Sequence, residues 1–252
     1  MNTSLTRALA ALTVCGATFA GATGASAEDK ELVVFLGGGL SDNSISTYAG
    51  GVWAPSGFSQ DGVFVRVVAS AGSFDFNTGL APGGRADADT YGANASVGYR
   101  IRLGQMVVAP FVGIDFFERD INPAVADTGQ INDNVGVIVG GRVESDYDTT
   151  GGGFTWAVDG SWASTNDRYY AEAELGYDFG IATLGPKGAA LGNDEYNAYR
   201  AGGFAKFDLF DDVALKVTSG YQFGDDNNAL GVGVPNSDSS TFFVDTSIAL
   251  VF

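Results

Sequence analysis

The sequence predicts an all-β chain forming a single antiparallel transmembrane β-barrel of about twelve strands, within a range of ten to fourteen. Three observations predict it. Apolar and polar residues alternate along long segments, aromatic residues recur eight positions apart on the apolar side, and short connections alternate with long ones. Alternation with period two gives a strand one apolar and one polar face. From Tyr91 one face reads Tyr91, Ala93, Ala95, Val97, Tyr99, Ile101 and Leu103, and the other carries Thr90, Asn94, Ser96, Arg100 and Arg102. A soluble sandwich alternates too. The aromatic spacing separates the two folds: Tyr91 and Tyr99, Phe154 and Trp162, Tyr169 and Tyr177, and Tyr199 and Phe207 stand eight residues apart. Eight residues on a strand tilted by ~40° rise about 20 Å, close to the ~25 Å apolar band that aromatic girdles flank in outer-membrane barrels.

Taken in order, the strand segments are 32–40, 45–54, 62–72, 90–103, 105–118, 133–145, 153–163, 168–179, 181–186, 195–209, 213–223 and 240–252. The connections at 73–89, 119–132, 187–194 and 224–239 are the long ones. Between them fall the shorter connections 55–61, Gly104, 146–152, Gly180 and 210–212. Short periplasmic turns and longer outer loops are the habit of bacterial barrels, so both termini are expected in the periplasm.

Residues 1–27 read as a signal peptide: Arg7, an apolar run from Ala8, and a small-x-small site at Ala25-Ser26-Ala27. An N-terminal anchor would need about 20 apolar residues, and this run is shorter and broken by Thr and Gly. The expected organisation is therefore a signal peptide over 1–27, cleaved near Ala27 on export, and a barrel over 28–252 in the cell outer membrane. The last strand alternates back from Phe252 through Leu250, Ile248, Val244 and Phe242. Such an ending is similar to the signal read by the barrel-assembly machinery, an expected partner beside outer-membrane lipid and lipopolysaccharide.

Composition removes several functions. A net charge of −17 argues against nucleic acid as a partner, since phosphate binding needs clustered Lys and Arg. The chain has no histidine, and its one cysteine, Cys15, falls in the signal segment. The commonest general base and zinc ligand are therefore absent, and no cofactor or metal is expected. Asp225-Asp226-Asn227-Asn228 lacks the spacing and closing Glu of a calcium loop. Gly37-Gly38-Gly39 and Gly151-Gly152-Gly153 precede no helix and no Lys-Ser/Thr, so they are not phosphate loops.

The same alternation nominates lumen-facing charges. The cations are Arg66, Arg100, Arg102, Arg142, Arg200, Lys206 and Lys216; the carboxylates are Asp115, Glu144, Asp159, Glu172, Glu174, Asp178, Asp208 and Asp245. This interior is nearly neutral and leaves the acidic excess on loops and strand ends. It reads either as a selective polar channel or as a small barrel whose ion pairs fill the interior. Glu172 and Glu174 could serve glycoside hydrolysis only as a histidine-independent pair. As neighbours on one strand face they read as partners of luminal cations, and no enzymatic activity is expected.

Particular motifs then resemble a family. Tyr48-Ala49-Gly50-Gly51-Val52-Trp53-Ala54-Pro55 followed by Asp61-Gly62-Val63-Phe64-Val65-Arg66 resembles the N-terminal signature of the cellulose biosynthesis protein BcsS family. Gly98-Tyr99, Gly113-Ile114-Asp115, Arg119-Asp120, Asn122-Pro123, Gly185-Pro186, Gly192-Asn193, Tyr199-Arg200-Ala201-Gly202 and Gly220-Tyr221 follow in the family's order. The resemblance implies an outer-membrane protein of Gram-negative bacteria associated with cellulose or exopolysaccharide secretion, with secretion components as partners and no catalytic residues. A small general porin, or a structural, adhesin-like barrel with acidic outer loops, is the alternative.

Overall fold

The computed structural model describes residues 30–42, 44–77, 84–122, 134–145, 152–193, 196–226 and 240–252. The signal-peptide segment 1–27 and most of the 119–132 and 224–239 connections lie outside the described residues. Twelve strands follow in chain order: β1 (Leu32–Ser41), β2 (Ser44–Trp53), β3 (Gly62–Asn77), β4 (Arg85–Leu103), β5 (Met106–Asn122), β6 (Val135–Ser145), β7 (Gly153–Ala163), β8 (Arg168–Asp178), β9 (Thr183–Gly192), β10 (Tyr196–Phe210), β11 (Val213–Asp226) and β12 (Thr241–Val251). Each pairs antiparallel with its neighbours in sequence, and β1 pairs with β12 from Val33↔Val251 to Ser41↔Phe243. Closure leaves no sheet edge, so every strand can satisfy its backbone groups inside a bilayer. The predicted barrel of about twelve strands is the observed fold.

Two details depart from the sequence reading. The ninth strand was expected over 181–186 with a loop over 187–194, whereas β9 runs to Gly192. Its outward positions Gly188 and Ala190 carry too little apolar bulk to show the alternation. Secondly, β3, β4 and β5 extend further outward than expected, to Asn77, from Arg85 and to Asn122. Their extension carries Asp87, Asp89 and Asp120 on its outer side, beyond Tyr91 and its cross-strand partner Glu118.

The exterior is inverted relative to a soluble protein. Leu36, Ile114 and Phe154 are 54%, 64% and 67% exposed. Removing such a surface from water is favourable at ~25 cal/mol per Å², which drives the belt into lipid. The aromatic pairs predicted from spacing lie on this outer face. Phe154 and Tyr177 meet edge-on across β7 and β8 at 5.1 Å, and Tyr221 and Phe242 across β11 and β12 at 5.8 Å.

Inside, aromatic rings are seated on glycines. A Cβ at Gly37 would collide with the Tyr48 ring, one at Gly50 with Phe35, one at Gly98 with Phe64, and one at Gly140 with Phe111. These glycines are sockets, which accounts for part of the glycine content without invoking flexible turns. The rings of Phe35 and Phe64 join Val33, Val52, Val68, Ala249 and Val251 in an apolar cluster at the end of the barrel where β1 begins and β12 ends.

Gly98→Val forces the Phe64 ring from its seat and should cost roughly 1–3 kcal/mol. Gly188→Ala, whose new methyl would have its nearest neighbour at 3.8 Å, should be close to neutral. Urea midpoints of the heat-modifiable folded species check both.

Candidate functional site

Alternation on β3 to β12 turns the nominated charged residues inward, where burial of a lone charge is prohibitive and pairing is required. The residues nominated by alternation group into clusters. On β6, Arg142 Nε donates to Glu144 Oε2 at 2.8 Å, and its Nη1 donates to Asp159 on β7 at 3.0 Å. Arg100 on β4 reaches over β5 to Glu144, at 3.7 Å. Arg200 on β10 reaches over β11 to Asp245 on β12 at 3.3 Å, donates from Nε to Gln222 at 2.8 Å, and lies 4.9 Å from the Phe243 ring centre.

The largest cluster surrounds β8. Glu172 accepts from Lys187 on β9 at 2.8 Å and from the Tyr170 hydroxyl. Glu174 is 3.3 Å from Lys187 and is paired with Lys216 of β11, three strands away. Lys216 also stands 5.1 Å from the Phe204 ring centre. Toward the outer end of the same strand, Arg168 pairs with Asp115 on β5, again three strands away, and stacks 3.9 Å from the Phe117 ring centre. The inward row of β8 thus ties the barrel wall in both directions.

The remaining nominated residues have other tasks. Arg66 lies 5.2 Å from the Phe111 ring centre and donates to Asn94 Oδ1 at 3.4 Å. Arg102 donates from Nη2 to the Phe58 carbonyl at 3.1 Å, and its backbone N–H donates to Asp61 at 2.7 Å. Those bonds fasten the β2–β3 connection, whose Ala54 and Phe58 join the apolar cluster at that end of the barrel. Asp178 accepts the Gly180 N–H at 2.7 Å and shapes the β8–β9 turn. Lys206 and Asp208 pair at 3.3 Å, with the Asp208 side chain 58% exposed, which places this pair at the rim.

Sequence reasoning missed Arg168 and Lys187. Arg168 begins β8 on the same parity as Glu172 and Glu174, so that strand already carried its signal. Lys187 sat in the stretch read as a loop. Arg119 on β5 shares the inward parity of Asp115 as well. Among the described residues they add three cations to an interior read from the sequence as nearly neutral. Between these clusters, a cavity of about 30 Å³ lined by Arg66, Ser70, Asn94, Asp115, Ser161 and Arg168 has room for a water or two. No group of three or more potential metal ligands occurs among the described residues.

The family model described as cellulose biosynthesis protein BcsS matches residues 33–252. No curated protein matches the chain by sequence. Solved structures resemble it at low identity. The KdgM porin has 9% identity, covering 85% of this chain and 97% of that one, with a TM-score of 0.47. The translocator domain of the autotransporter NalP from Neisseria meningitidis has 10% identity, covering 88% of each chain, with a TM-score of 0.49. Omp33 from Acinetobacter baumannii has 12% identity, covering 90% of this chain and all (100%) of the other, with a TM-score of 0.44.

Glu174→Gln removes the partner of Lys216 and one partner of Lys187, leaving buried ammonium charge poorly matched. The loss should be roughly 3–5 kcal/mol. Adding Lys216→Met should return part of it, read as a coupling energy in a double-mutant cycle on urea unfolding.

Proposed function

The chain belongs to the cellulose biosynthesis protein BcsS family, and from that premise we propose that it is a non-enzymatic outer-membrane barrel. Its role is in cellulose or exopolysaccharide secretion, exerted through its two ends and its partners, not as the conduit of the glucan. The observation that carries this reading is the pair of bridges Arg168–Asp115 and Lys216–Glu174 inside the barrel, each joining strands three apart, a quarter of the way round the twelve-stranded wall. A glucan conduit needs open aromatic faces on which sugar rings stack, with unclaimed polar groups beside them. Here Phe111, Phe117, Phe204 and Phe243 lie under Arg66, Arg168, Lys216 and Arg200. Their faces are already engaged by cations, an attraction worth ~0.5–2 kcal/mol each.

A lack of catalysis is in keeping with the same geometry. Glu172 and Glu174 are the nearest approach to a hydrolytic pair. They follow each other on one strand face, and Lys187 and Lys216 neutralise them. The arrangement leaves no opposed acid and base flanking a sugar-sized space.

Deleting the gene should lower cellulose or exopolysaccharide output, and a plasmid copy should restore it, with small-solute uptake unchanged in both strains. Unchanged polymer output together with altered solute permeability would move the protein to the general-porin alternative.

A further inference from the structure

We propose that the β7–β8 turn is a latched strap over the outer part of the lumen, and that Asp115 is its latch. Turns at the mouth of a barrel ordinarily lie in solvent. This one dips inward: Thr165 is fully buried, at 0% exposure. Its hydroxyl and the Arg168 guanidinium both donate to the same Asp115 oxygen. Arg168 also holds the turn itself, donating from Nε to the Thr165 carbonyl at 3.2 Å and from Nη2 to its hydroxyl at 3.1 Å. The strap's other edge is tied to β6, where Ser164 N–H donates to the Val137 carbonyl and Val137 N–H to Ser164 Oγ, each at 2.9 Å. β6 makes room for it with Gly136, where a Cβ would strike Ser164 and Thr165.

Three features make the strap releasable. Its anchorage is polar, with Thr165 and Arg168 meeting on one carboxylate and only Ser164 held to β6, whereas the β2–β3 connection at the other end is held by an apolar cluster. Asn166 and Asp167 take successive left-handed backbone angles, φ +58° and +44°, which non-glycine residues leave readily when a restraint is lost. Behind the strap lies the cavity bounded by Arg66, Asn94, Asp115 and Arg168, so its withdrawal joins that polar chamber to the outer medium.

The test uses Ala163→Cys, a chamber-wall position 4% exposed at the foot of the strap, in a Cys15→Ser full-length background. The readout is the rate of labelling by a membrane-impermeant maleimide on the heat-modifiable folded protein. Asp87→Cys on the exposed outer extension is the open control. The closed strap should protect Cys at 163 at least tenfold relative to that control. Asp115→Ala should remove most of the protection, and Thr165→Val, which keeps the Arg168–Asp115 pair, should remove it several-fold. If Asp115→Ala does not fold, Thr165→Val decides alone. Labelling at 163 as fast as at 87 without a latch mutation, or equally slow with one, overturns the proposal.

Discussion

The inward row of β8 bears on everything else in this barrel. Arg168, Tyr170, Glu172 and Glu174 alternate along one strand and reach β5, β9 and β11. A barrel of this size encloses more space than its inward side chains would fill as apolar packing, and alternation brings charge into that space. The desolvation cost of each ion must then be met by a partner of opposite sign at hydrogen-bond distance. Because several partners sit on strands two or three apart, neutralising the charges also ties together stretches of wall up to a quarter of the way round the barrel. Charge pairing therefore places ion pairs within the lumen itself.

The wall itself obeys a simpler rule. Its exterior alternation feeds large apolar side chains to lipid, and its interior glycines yield sockets for rings. The end where β1 begins and β12 ends is packed in another way, with Phe35, Phe58, Phe64 and their aliphatic neighbours. Lys30 pairs with Asp212 of the β10–β11 turn, and the Phe58 N–H donates to the Lys30 carbonyl at 3.0 Å. The segment leading into β1 is thereby stitched beneath the barrel. Val52, Ala54 and Phe64 of the family signature belong to this cluster, so those residues read as structure at this end of the barrel.

Period-two patterning made the fold, the aromatic girdles and most luminal charges legible, because each depends only on residue parity within a strand. Lys187 escaped because β9 exposes Gly188 and Ala190 where a larger apolar residue would have marked the outer face. Arg168 escaped because it opens its strand. Pairing across the lumen is a different kind of information. That Lys216 meets Glu174, or Arg168 meets Asp115, depends on stagger and closure around the whole barrel. Ser164 to Asp167 reads as an ordinary polar turn, and only the closed barrel shows Thr165 reaching Asp115.

The central claim, that paired charges close this lumen, is tested most directly by single-channel recording. The folded protein, extracted from outer membranes, would be placed in a planar bilayer. The account predicts no steady conductance from protein that shows heat-modifiable mobility. A steady ion current from that folded protein would mean that the charge clusters line an open pore, and would contradict it.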